Sequence, residues 1–147
     1  MDRLPLLVST DGPLKGLRYQ VLDGDGITVG RADNCDVVID DPEVSRHHAT
    51  VVLYNSGIWV RDEGSRNGVF IDDKRVVRPK ELRPGSELNI GGHHFMLELD
   101  DIPEDDPSIV RPVRGETEEV QKQGNPLFWV AVLAGVVIAA FALMQLI

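Results

Sequence analysis

The chain has 147 residues, 27% of them charged and 42% hydrophobic, with a net charge of −9 at pH 7. That acidic balance excludes broad nucleic-acid binding, which needs a surplus of Lys and Arg to displace counterions. The single cysteine, Cys35, excludes an internal disulfide, and with it a disulfide-stapled secreted scaffold; a reducing compartment is the expected setting.

Met1-Asp2-Arg3 opens with mixed charge, and the apolar run Leu4 to Val8 is short and interrupted by Pro5, so no export leader is expected. From Leu4 to Leu99 the pattern is all-β. Leu17, Tyr19 and Val21 alternate imperfectly with Arg18, Gln20 and Leu22. Ile27-Thr28-Val29 follows a run of Gly and Asp, and Val37-Val38-Ile39 is short and β-branched. Thr50 to Tyr54 and Ile58 to Val60 flank Asn55-Ser56-Gly57, a hairpin signal. Val69-Phe70-Ile71 and Arg75-Val76-Val77 flank Asp72-Asp73-Lys74, and Glu87 to Ile90 and His94 to Leu99 flank Gly91-Gly92-His93. No window carries a sustained helical period. Short strands punctuated by turns predict a sandwich or barrel with antiparallel pairing.

Residues 100–126 change character. Asp and Glu are interleaved with Pro103, Pro107, Pro112 and Gly115, too little apolar surface to offset the entropy of ordering. An extended, disordered acidic linker is expected. Residues 127–147, Leu127 to Ile147, carry no charge, and Gln145 is their only strongly polar residue. As a helix they would be about 32 Å long, close to the hydrocarbon thickness of a bilayer. A transmembrane helix is therefore expected, with Trp129 at the interface. Arg111, Arg114 and Lys122 precede it and no basic residue follows, which favours a cytoplasmic N-terminal domain on a single-pass, tail-anchored chain, with a bacterial inner membrane as the first expectation. Ala131, Ala134 and Gly135 offer small residues for self-association of the span.

Three loop motifs lie on the β pattern. Gly30-Arg31 follows Ile27-Thr28-Val29, Ser45-Arg46-His47-His48 follows Asp40 to Val44, and Gly64-Ser65-Arg66-Asn67-Gly68 precedes Val69. Arg31, Arg46 and Arg66 are loop arginines in an acidic protein. Guanidinium forks, serine hydroxyls, asparagine amides and loop N–H groups are the donors that a phosphate monoester needs. The residues alone do not establish that these loops meet.

In this order and spacing, together with Asp36 to Asp40 and Leu82-Arg83-Pro84-Gly85, the motifs resemble the signature of the forkhead-associated (FHA) family over about Leu6 to Leu99. The resemblance implies a sandwich of two antiparallel sheets with binding loops at one end. It also implies a phosphothreonine-peptide-binding module with no cofactor and no catalytic residues. Arg31 and Ser45 would then bond phosphate and Arg46 would stand at the next position. Asn67 would fix the ligand main chain, and Gly30, His48 and Gly68 would shape the loops. Arg66 departs from the pattern, standing where many members carry Thr or Ser, and would reach phosphate or an acidic ligand residue.

His47-His48 and His93-His94 lack metal-ligand spacing, so no metal is expected. No P-loop or nucleophile elbow occurs. The expected function is a membrane-anchored adaptor that recruits threonine-phosphorylated proteins downstream of a Ser/Thr kinase. The alternative is a structural subunit of a membrane assembly, such as a secretion apparatus, that packs without phosphate. Thr117, alone in the acidic linker, is a candidate phosphorylation site.

Overall fold

The structure is a computed structural model that describes residues 3–101 and 106–112. Among the described residues twelve strands follow one another: β1 (Leu4–Ser9), β2 (Arg18–Gln20), β3 (Ile27–Gly30), β4 (Val37–Val38), β5 (Ala49–Tyr54), β6 (Gly57–Asp62), β7 (Val69–Ile71), β8 (Lys74–Arg75), β9 (Lys80–Leu82), β10 (Glu87–Ile90), β11 (His93–Asp100) and β12 (Ile109–Val110). A 3-10 turn, Gly12–Leu14, separates β1 from β2. The strands form two sheets, β12-β2-β1-β11-β10-β7-β8 and β4-β3-β5-β6-β9.

Three two-residue turns set the registers of the hairpins. Asn55-Ser56 (φ 48° and 62°), Asp72-Asp73 (49° and 65°) and Gly91-Gly92 (57° and 85°) all hold both central residues at positive φ. That is the turn geometry whose twist matches paired strands. With register fixed, alternate side chains face inward. Leu7, Tyr19, Phe95, Leu97, Leu88, Ile90, Val69 and Ile71 of the larger sheet meet Ile27, Val29, Val37, Val51, Ile58, Val60 and Leu82 of the smaller. Each such side chain contributes about 1.5–3 kcal/mol of transfer free energy. The core is thus ample to hold the loops between strands in fixed positions.

The sheets are mixed, which corrects the expectation of two purely antiparallel sheets. β4 runs parallel to β3, with Val29 opposite Val37 and Gly30 opposite Val38. A polar clasp explains how so short a connection turns parallel. The Asp36 carboxylate accepts from the Thr28 N–H (2.8 Å) and hydroxyl (3.2 Å), and the Asp36 N–H donates back to the Thr28 hydroxyl (3.0 Å). The start of β4 is thereby tied beside the start of β3. The second parallel pair, β12 with β2, also corrects the linker expectation at residues 106–112. Ile109 is buried there. The turn before it is closed by the Asp106 carboxylate, which accepts from the Ser108 N–H (2.8 Å), and by Arg111, which donates to the Asp106 carbonyl (3.2 Å).

β1 pairs with β11 along its whole length, from Leu4 opposite Asp100 to Ser9 opposite Phe95. Pro5 lacks a donor, yet its carbonyl accepts from the Val21 N–H (2.9 Å). The expected transmembrane helix, residues 127–147, and Thr117 lie outside the described residues. Among the described residues, no helix is long and apolar enough to cross a membrane.

Candidate functional site

The β3–β4, β4–β5 and β6–β7 connections gather at one end of the sandwich. Backbone bonds lace the first two: Arg31 N–H to Ser45 O (3.0 Å), Ala32 N–H to Arg46 O (3.0 Å) and His48 N–H to Val29 O (2.9 Å). The third joins through Glu63 N–H to His48 O (3.0 Å). Gly30 is required for the first approach. A Cβ there would stand 2.2 Å from the Arg46 carbonyl oxygen and 3.0 Å from the Cys35 sulfur. Burial pushes the Cys35 thiol up, so it stays protonated and donates to the Arg46 carbonyl (3.3 Å).

His48 is fully buried behind the loops and bonds at both ring nitrogens. Nδ1 accepts from the Ser45 N–H (3.0 Å), which leaves the proton on Nε2 to donate to the Gly68 carbonyl (2.8 Å). One neutral ring therefore spans the β4–β5 and β6–β7 loops. Gly68 closes the second loop at φ +84°, and its N–H donates to the Ser65 hydroxyl (3.0 Å). The Ser65 N–H donates in turn to the Asp62 carboxylate (2.7 Å).

On the outer side of this lacing stand the polar groups. Arg31 is exposed, and its Nε donates to the Val44 carbonyl (3.2 Å), which aims the guanidinium. Its two terminal nitrogens have no partner among the described residues. The Ser45 hydroxyl accepts from the Arg66 N–H (3.0 Å), leaving its own proton available to donate. That bond uses the Arg66 backbone, so any residue at position 66 can make it. The Arg46 and Arg66 side chains are exposed. Asn67 directs its amide nitrogen to the Glu43 carbonyl (2.7 Å) and carboxylate (2.9 Å), leaving its oxygen without a partner among the described residues. The structure thus brings Arg31, Ser45, Arg46, Arg66 and Asn67 to one rim, backed by Gly30, His48 and Gly68. A cavity of about 340 Å³ opens beside Asn67, lined also by Glu43, Phe70, Asn89, Gly91 and Gly92.

The bond between Glu43 and Asn67 is not legible in the sequence, because the two lie 24 positions apart and no spacing rule links them. The loop before it is braced by Asp41, whose carboxylate accepts from the Glu43 N–H (2.9 Å) and the His93 ring (2.8 Å). These two bonds, the backbone one first, hold the Asp41 carboxyl below its usual range. His94 pairs with Asp11, so each residue of the His93-His94 pair binds a different carboxylate. Among the described residues, no group of three or more His, Cys, Asp or Glu is placed to hold a metal.

An FHA domain model matches residues 27–91, the stretch that contains all three site loops. The chain is 34% identical over 85 residues to the FHA domain-containing protein FhaB of Mycobacterium tuberculosis, a match covering 58% of this chain and 54% of that one. It spans only about half the length of that curated relative. The FHA domain of the CT664 protein of Chlamydia trachomatis superposes with a TM-score of 0.60 at 26% identity, covering 68% of this chain and 99% of that domain. EmbR of Mycobacterium tuberculosis, solved in complex with a low affinity phosphopeptide, gives a TM-score of 0.58 at 26% identity, covering 68% of this chain and 25% of that protein. Residues 27–91 thus match the FHA domain model, and the described sandwich has the fold of solved FHA domains.

Proposed function

We propose that this chain is a membrane-anchored adaptor that binds threonine-phosphorylated protein segments, with a Ser/Thr kinase acting upstream. The observation that carries the reading is the Arg31–Ser45–Asn67 rim. An exposed guanidinium held through its Nε, a hydroxyl with its proton uncommitted and an amide oxygen without a partner among the described residues stand on one laced loop cluster. In this reading Arg31 and the Ser45 hydroxyl take the phosphate, with Arg46 and Arg66 adding positive charge beside them. Asn67 takes the ligand main chain. Each charge-assisted bond contributes about 1.5–3 kcal/mol net. Two or three of these, together with backbone contacts, reach the roughly 8 kcal/mol of micromolar affinity. The family and the phosphopeptide bound to the related EmbR support the reading.

Anchoring by residues 127–147 and a cytoplasmic domain rest on the uncharged run and on the basic residues before it. Calorimetric titration of the full chain in detergent, with peptides carrying phosphothreonine, phosphoserine or threonine at one position, tests the binding. Phosphothreonine alone is expected to give strong binding, and equal affinity for plain threonine would leave a structural subunit as the better reading. Recovery of the expressed chain in the carbonate-washed membrane fraction tests the anchor.

A further inference from the structure

Five of the chain's 15 Lys and Arg residues fall in residues 74–83, against a single acid, Glu81. Glu81 pairs with Arg83 (3.3 Å). Among the described residues, Lys74, Arg75, Arg78 and Lys80 form no ion pair. Asp72 and Asp73 precede the segment, and the charges of Lys74 and Lys80 act on Asp72, which leaves Arg75 and Arg78 as the basic groups of the ridge.

The path of the segment puts it beside the candidate site. β7 leaves from Gly68, and β8 returns antiparallel with Arg75 opposite Phe70. The Val76 N–H then donates to the Val69 carbonyl (2.8 Å), which brings the chain back level with Gly68. The Arg75 side chain folds over that glycine. A Cβ on Gly68 would stand 3.3 Å from Arg75 Nε and from the Phe70 ring. Val76 turns inward and is buried, while Val77 is 83% exposed, the most exposed large hydrophobic side chain among the described residues. Arg78, also exposed, follows it. An apolar side chain held in water between two unpaired guanidinium groups, next to a binding rim, has the composition of an interface anchor.

We propose that Arg75, Val77 and Arg78 form a second docking surface for the phosphorylated partner, taking an acidic stretch with an apolar residue that flanks the phosphothreonine. This rests on the phosphothreonine reading of the adjacent rim and names the chemistry of the sequence around it. A bilayer is the poorer occupant. The same rim carries Asp40, Asp41 and Glu43, the last bonded to Asn67, and a flat anionic surface would be pressed against them. A single extended chain follows the basic ridge without meeting them all. The exposed Arg75 side chain passes beside Gly68 and so lies at the edge of the candidate site.

The test uses the full chain in detergent and three phosphothreonine peptides whose flanks are acidic, neutral or basic. The acidic flank is expected to bind about tenfold tighter than the neutral one at low salt, and the basic flank weaker than both. In an Arg75→Ala/Arg78→Ala variant the acidic advantage is expected to fall to less than about twofold, with affinity for the neutral peptide unchanged. Retained neutral-peptide binding also reports that the variant is folded. Neutral-peptide binding with no gain from acidic flanks, or a gain that survives the double substitution, overturns the second surface and leaves the rim intact. Failure of all three peptides overturns the rim reading, and the second surface falls with it. Sedimentation with anionic phosphatidylglycerol vesicles that the double variant loses, without any acidic-flank gain, would assign the ridge to lipid instead.

Discussion

Replacing His48 by alanine tests whether one buried ring holds the site together. The substitution removes the acceptor of the Ser45 N–H and the donor to the Gly68 carbonyl, both bonded through a fully buried side chain. Each buried backbone group left unpaired costs about 1–3 kcal/mol. The space left by the ring adds a cavity penalty. The combined loss is about 3–5 kcal/mol, a large part of the stability of a small domain. His48→Asn separates the two halves. Its side-chain oxygen can stand near the place of Nδ1 and keep the Ser45 bond, while the reach to Gly68 is lost, so about half the penalty is expected. Urea unfolding followed by Trp59 fluorescence, in a Trp129→Phe background, measures both variants. Peptide affinity should fall together with stability, because the ring places Ser45 and the Ser65–Gly68 turn at once. An alanine variant within about 1 kcal/mol of the parent would refute the argument that this ring braces the loops.

Gly30→Ala should destabilise the domain by about 1–3 kcal/mol and weaken peptide binding without touching the ligand, since its Cβ would press on the Arg46 carbonyl; unchanged binding in a folded variant would contradict the close approach. Ser45→Ala, which removes both a donor to the ligand and the acceptor of the Arg66 N–H, should cost about tenfold or more in affinity. Arg66→Ala keeps that backbone bond and should cost about threefold or less, more at low salt. The His94–Asp11 pair makes stability depend on pH in a stated direction. The hydrogen bond to Asp11 raises His94 above its ordinary 6.5, so its contribution is full below about pH 6.5 and is lost as pH rises through the raised value. Burial alone would raise Asp11, but the bonds and charge of His94 outweigh it and hold Asp11 below 3.8, so its contribution is lost as pH falls through the lowered value. The melting temperature of His94→Gln should therefore lie below the parent's near about pH 5, with the gap closing toward about pH 9; a constant gap would contradict the pairing.

Much of the sandwich is legible because its hairpins announce themselves. Asn55-Ser56, Asp72-Asp73 and Gly91-Gly92 stand between runs that contain apolar residues, and residues that tolerate positive φ define both turn and register. β1 is less legible. Pro5 and the position near the chain start obscure a strand whose partner, β11, is far away in sequence. β9 carries Lys80-Glu81-Leu82, a mixture with no strand signal, and becomes a strand because β6 offers it an edge. The parallel pairings of β4 and β12 depend on side-chain clasps at Asp36 and Asp106, which no periodicity encodes. The site follows the same division. Its residue types were readable as phosphate donors, but their meeting depends on long-range bonds such as Arg66 N–H to the Ser45 hydroxyl. Position 66 shows the limit most clearly, because the structure gives a task to its backbone that the side chain's identity does not reveal.

On the proposed reading, the Arg31–Ser45–Asn67 rim binds a phosphate on threonine. Titration of the full chain and its Arg31→Ala variant with one peptide, in phosphothreonine and threonine forms, tests it most directly. The parent is expected to bind the phosphorylated form with micromolar affinity, and the variant to lose about 100-fold, roughly 3 kcal/mol. Equal affinity of the parent for the two forms, or an Arg31→Ala variant that binds the phosphopeptide as the parent does, would contradict it.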